Sequence, residues 1–190
     1  MRFRLQTSDF RPRVAVFLMS VVCGLMSVSC GYTTRPGLPS NIHTVYVKPF
    51  ANKIDFTVVD TSNDRFPLYR HGMEVDITNA VISRFQFTGL LRPANPEHAD
   101  VRLEGELIQF RRDPLRYTSG QDVEEWRLNV VVDLRMYDQH TNELMWEEPG
   151  FTGDTTYFAL GASTESEAAA LSRAITDLAR RIVERAVENW

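Results

Sequence analysis

Cys30 is the residue whose chemistry is plainest. It follows Ser27-Val28-Ser29 and precedes Gly31, downstream of an apolar run from Val14 to Met26 and a stretch holding Arg2, Arg4, Arg11 and Arg13. Such a run has the length of a signal-peptide core and is too short to cross a bilayer as a helix. A cysteine thiol can carry a thioether to diacylglycerol, and a small residue before it lets a signal peptidase close over the bond. This is lipobox spacing, so residues 1–29 are expected to be a cleaved signal and Cys30 the lipidated first residue of the mature chain. Ser27 stands where such motifs usually carry Leu, with Leu25 and Met26 just upstream. Cys23 is the competing cysteine, but the branched Val22 before it suits cleavage poorly. An ordinary signal cut near Ser29, leaving Cys30 free, is the alternative. Acyl chains contribute roughly 0.8 kcal/mol per buried methylene, so two or three anchor stably. Gly31 stands where an Asp would signal inner-membrane retention, which points to the outer membrane.

Residues able to do catalysis do not converge. His43, His71, His98 and His140 are scattered with no metal-ligand spacing. Ser40 and Ser119 lack the G-x-S-x-G elbow, and Gly150 and Gly153 flank Phe151-Thr152 without forming a phosphate loop. Glu124-Glu125 and Glu147-Glu148 fall on alternate faces if their segments are strands, so neither pair can act as a joint acid and base. No metal, cofactor or enzymatic activity is expected.

Two groups remain that could bind. Arg111, Arg112 and Arg116 flank Pro114, with Arg102 upstream, and guanidinium pairs phosphate well. Phe56, Phe66 and Tyr69 are aromatics in a polar stretch and could anchor a protein partner. A solvated hairpin end and an aromatic core edge are the respective alternatives.

These residues need a body to hold them. The chain has 190 residues, 43% hydrophobic and 24% charged, as an average globular domain does. The net charge is -4, which speaks against nucleic acid. Removing the signal takes away four arginines and Asp9, leaving about -7 on the rest. No cysteine follows Cys30, so the body holds no disulfide.

Residues 30–43, rich in Pro and Gly, read as a tether to a single domain over 44–190. Thr44 to Phe50 is an alternating strand ending at Pro49, and 51–66 is an irregular loop. Met73, Ile77, Ala80, Val81 and Phe85 predict a helix from about Tyr69 to Thr88, stopped by Gly89. A short strand is expected at Leu90 to Arg92. Strands follow at Val101 to Phe110, with Val101, Leu103 and Leu107 inward, and at Val123 to Tyr137, with Trp126 to Met136 alternating inward. Asp138 to Asn142 is a turn. Glu143 to Glu148 returns with Leu144 and Trp146 inward, and 151–160 extends the pairing. Thr164 and Glu167 stand at capping-box spacing before a helix striped by Leu171, Ile175, Leu178, Ile182 and Ala186. Arg180, Arg181 and Arg185 are placed to complement its dipole, and Trp190 to pack its end. The expected fold is an α+β two-layer sandwich, a mostly antiparallel sheet of about four strands with two helices on one face.

In order, Cys30-Gly31-Tyr32, Leu38-Pro39-Ser40, Val45-Tyr46-Val47-Lys48-Pro49-Phe50-Ala51-Asn52, Ala99-Asp100, Leu103-Glu104-Gly105-Glu106-Leu107, Trp146-Glu147, Thr164-Glu165, Asp177-Leu178-Ala179, Ile182-Val183 and Trp190 resemble the lipopolysaccharide-assembly lipoprotein family, LptE. The 51–66 loop is longer than the connection expected there. The resemblance implies an outer-membrane lipoprotein that faces the periplasm, sits partly in the lumen of the β-barrel LptD, and helps deliver lipopolysaccharide to the outer leaflet. On that reading Arg102, Arg111, Arg112 and Arg116 are candidates for lipopolysaccharide, and Phe56, Phe66 and Tyr69 for the barrel. A binding module of a different envelope complex is the alternative.

Overall fold

A computed structural model of the chain describes Pro39, residues 41–55 and residues 69–188. Cys30, Phe56, Phe66 and Trp190 lie outside the described residues.

Three long strands form the frame: β4 (Val101–Tyr117), β5 (Val123–Asp138) and β6 (Leu144–Phe158), paired as an antiparallel meander. Their inward residues follow the period of two set by the pleat. Val101, Leu103 and Leu107 on β4 and Leu128, Val130, Val132, Leu134 and Met136 on β5 are fully buried. The opposite face carries Arg102, Glu104, Glu106, Asp133 and Arg135.

The sheet is larger than expected and mixed. β1 (Thr44–Val47) lies parallel to β4 and also parallel to β3 (Arg92–Pro93), while β2 (Ala51–Asn52) pairs parallel with β4 further along. The order is β3-β1-β4-β5-β6, with β2 beside β4, giving six strands among the described residues where about four were expected. The correction has a clear cause. The helix α1 (Met73–Thr88) lies between β1 and β3, and such a crossover joins parallel strands, whereas tight turns join antiparallel ones.

Prolines define edges. Pro93 sits in the outermost strand, where a missing N–H is tolerated. Pro49 separates β1 from β2, and the Phe50 N–H that follows donates to Thr78 Oγ1 at 3.0 Å. β4 continues to Tyr117 through Pro114, although the sequence suggested an end at Phe110. Beyond Leu107 no described strand flanks its other side, and register shifts around Pro114 and Arg116 absorb the irregularity. β6 likewise runs through Pro149, on the other edge. At Gly150, with φ +68°, the ladder shifts and the Gly150 N–H donates to Asp133 Oδ1 at 2.8 Å. A second shift sets Leu144 opposite Tyr137, so Leu144 faces solvent, 46% exposed, while Trp146 opposite Met136 turns inward as expected.

Both helices cover the inner face. Met73, Ile77, Val81 and Phe85 of α1 are completely buried. The helix starts at Met73 because Gly72, in the left-handed region at φ +85°, accepts from the Val75 and Asp76 N–H groups. It stops at Gly89, also left-handed, whose N–H closes on Phe85 O at 3.0 Å. The second helix, α2 (Glu167–Glu188), buries the predicted stripe of Leu171, Ile175, Leu178, Ile182 and Ala186. Its cap is Ser166, whose Oγ accepts from Ala169 N–H at 3.2 Å, and the expected box does not form. Thr164 Oγ1 instead donates to Gly161 O at 2.6 Å, and Glu167 turns to the sheet.

Two glycines set how closely layers approach. A Cβ on Gly105 would stand 2.1 Å from Phe50 Cε1, so Phe50 lies flat on β4. A Cβ on Gly153 would stand 2.7 Å from Leu178 Cα, so α2 packs backbone to backbone on β6. No helix among the described residues is long and apolar enough to cross a membrane.

Candidate functional site

The arginines singled out from sequence occupy strand, not loop, and they divide. On β4, Arg112 stands opposite the inward Leu128 and faces the helices, whereas Arg111 opposite Asn129 and Arg116 opposite Glu125 lie on the outer face. Arg102 lies near the other end of β4, roughly 30 Å from Arg111 at the ordinary strand rise.

Arg112 is built into the packing. Its guanidinium stacks on Trp126 at 4.2 Å and pairs with Glu167 at 2.6 Å, and the Tyr157 hydroxyl donates to the same carboxylate at 3.3 Å. Burial works against the Arg112 charge, but Tyr157 and Glu167 outweigh it and hold its pKa above the ordinary arginine value. Burial also raises the Tyr157 pKa. The cluster ties the first turn of α2 to β4, β5 and β6 together.

On the outer face, Arg111 Nε lies 3.2 Å from Asp113, and Asp113 accepts from Asn129 Nδ2 at 2.8 Å. Arg116 lies 3.6 Å from Glu125 and 5.7 Å over the Phe158 ring, with its side chain more than half exposed. Leu115, Tyr117 and Leu160 are exposed at this same end. An exposed guanidinium with a loose carboxylate partner can exchange it for a phosphate, and of the three arginines this description fits Arg116.

At the far end, Arg102 is fully engaged. It donates to Glu104 at 2.9 Å, Gln139 at 2.9 Å and Asn142 at 2.6 Å, and lies 4.8 Å over Tyr137. Burial opposes ionisation of Glu104, yet Lys48 and Arg102 lower its pKa.

Asp100 entered the sequence reading only within the Ala99-Asp100 segment of the family resemblance, with no role assigned. Its Oδ2 accepts from His43 N–H at 2.8 Å, Thr44 N–H at 2.9 Å and Thr44 Oγ1 at 2.8 Å, so it fixes where β1 enters the sheet. The His43 N–H bond above all lowers its pKa. The signals in the sequence were that segment and its place one residue ahead of a strand.

Tyr69 is half-buried against the core, with its hydroxyl 3.3 Å from Glu74 Oε2. It borders a groove of about 430 Å³ with Arg70, His71, Phe110 and Glu167. His140 Nε2 is 3.9 Å from Asp100 Oδ1, and among the described residues no group of three or more His, Cys, Asp or Glu could hold a metal. Arg180 and Arg181 form ion pairs with Asp177, Glu184 and Asp154, and Arg185, the basic residue of the last turn of α2, pairs with Glu148 at 2.7 Å and lies 4.6 Å over the Trp146 ring.

Compared with known families, residues 42–186 match LptE, lipopolysaccharide-assembly. The chain belongs to this family. The match covers every strand and nearly all of α2, and the expectation drawn from the sequence stands. Comparison with curated proteins finds no match. Among solved structures, hypothetical protein CT253 of Chlamydia trachomatis superposes with a TM-score of 0.51 at 12% identity, covering 76% of this chain and 95% of that one. Protein XCC0632 of Xanthomonas campestris gives 0.50 at 15% identity, covering 78% and 86%. At such identities these two show that the LptE-family chain shares their fold. Rare lipoprotein B of Shewanella oneidensis gives 0.41 at 14% identity, covering 74% and 92%. Membership places the chain in lipopolysaccharide assembly in the cell envelope.

Proposed function

We propose that this protein is anchored to the outer membrane through lipid on Cys30, binds and plugs an LptD-type β-barrel from the periplasmic side, and assists insertion of lipopolysaccharide into the outer leaflet. The observation that carries the reading is the LptE match over residues 42–186. Two physical points support it. A wide barrel encloses a lumen that must be filled to prevent leakage. The outer face of the sheet carries ion pairs, such as Arg135 with Glu106 and Glu147, among Tyr46, Val131, Tyr137 and Phe158, and the ion pairs suit a polar barrel interior. Arg116 is the foremost contact for lipopolysaccharide phosphates, with Arg111 and Arg112 behind it and Arg102 toward the opposite end. Phe56, Phe66 and Tyr69 are the proposed barrel contacts. The role is one of assembly, with no catalytic step.

The test is a pull-down of the C-terminally tagged protein from detergent-solubilised outer membranes. Recovery of one large β-barrel near one-to-one is the expected result. Lipidated protein in the outer-membrane fraction with no barrel attached would overturn the plug and favour a binding module of another envelope complex.

A further inference from the structure

Phe87 is the most exposed large hydrophobic side chain among the described residues, 80% exposed in the last turn of α1. It stands off the buried stripe of Met73, Ile77, Val81 and Phe85, so its exposure follows from helix geometry. Leu90 is also exposed, just past the Gly89 stop. Arg84 lies 5.3 Å over the Phe87 ring, and its Nε finds no hydrogen-bond acceptor among the described residues. Arg92, two residues beyond Leu90, is exposed as well. The result is an apolar prominence flanked by two guanidiniums, the composition of a side-chain set that sits at a lipid headgroup boundary.

Its position supplies the occupant. The Arg92 N–H donates to His43 O at 2.9 Å, and Arg92 pairs with Thr44. Phe87 and Leu90 therefore project from the end of the domain at which the chain arrives from Cys30. The twelve residues from Cys30 to Ile42 span about 40 Å at most. An anchor at Cys30 holds this end of the domain within that distance of the bilayer.

We propose that the Phe87–Leu90 prominence, with Arg84 and Arg92, docks on the bilayer that carries the Cys30 anchor, Phe87 and Leu90 entering the headgroup boundary and the guanidiniums pairing lipid phosphates. The contact orients the domain instead of leaving it swinging on its tether. The inference rests on the anchoring reading above, and the test separates the two.

The mature, acylated full chain is prepared with an environment-sensitive fluorophore on Gln86→Cys, an exposed position beside Phe87. A second preparation is labelled at Leu115→Cys, at the opposite end of the sheet. Each is reconstituted into vesicles of phosphatidylethanolamine and phosphatidylglycerol, floated on a gradient, and read with and without a lipid-borne quencher. The expected result is flotation of both, with a blue shift and quenching of the label at 86 alone. Adding Phe87→Ser and Leu90→Ser should abolish the shift without changing flotation. Flotation with a water-like label at 86 overturns docking and leaves the anchor standing. Failure to float overturns the anchor and docking together. A shift that grows with protein density at fixed lipid assigns the prominence to a second copy. One that appears only when the barrel is co-reconstituted assigns it to that protein. Either of these overturns the lipid contact.

Discussion

Asp100 shows how one carboxylate can seat a strand. It gathers the His43 and Thr44 N–H groups and the Thr44 hydroxyl, and these favour its charged form. Its pKa is depressed on folding, so the stabilisation is complete above the unfolded carboxylate value near 3.8 and is lost as pH falls through the lower folded value. Asp100→Asn should lower the midpoint of urea unfolding at pH 7, and the gap from wild type should narrow progressively as pH falls below the unfolded carboxylate value. Denaturation curves at a series of pH values check this, and a gap that stays constant with pH would count against the carboxylate's role. Gly153 makes a steric argument of the same size. Gly153→Ala would press a methyl against the Leu178 backbone, which cannot turn aside as a side-chain tip could. A loss of about 1–3 kcal/mol in chemical denaturation is expected.

At the scale of elements, the start of α2 is decided by two competing caps. Thr164 and Glu167 have the right spacing in sequence, but Ser166 makes the bond to the Ala169 N–H. Ser166→Ala should cost about 0.5–2 kcal/mol, and Thr164→Ala distinctly less. Hydrogen exchange at the first turn of α2 reads the difference, and the reverse order would restore the capping box. The periodic patterns of α1, β4, β5 and α2 were legible because burial of one face imposes its period on the residue types. Their ends were less so. Gly72 marks a start that local composition did not show, and the long ladder with β5 carried β4 seven residues past Phe110.

For the whole molecule, the arginines separate structural from binding roles. Arg112 joins α2 to three strands, whereas Arg111 and Arg116 lie on the open face. Arg112→Ala should lower stability by about 1–2 kcal/mol through loss of stacking and pairing. Arg111→Ala with Arg116→Ala should leave stability within about 0.5 kcal/mol and weaken lipopolysaccharide binding several-fold. Thermal unfolding and a direct lipopolysaccharide-binding assay on the same preparations check both, and unchanged binding in the double variant would remove these residues from the proposed contact.

The sequence by itself determined the family, the α+β class, the inward faces of β4 and β5 and the stripe of the last helix. Each is written in local periodicity or in the order of short segments along the chain. The tertiary structure decided the parallel attachment of β1, β2 and β3, the division of the arginines between two faces, and the grouping of Phe87, Leu90, Arg84 and Arg92 beside the entry of the chain. Those depend on which strand lies beside which and where a ladder slips by one residue, and pairing across fifty residues leaves no periodic mark in the chain that makes it.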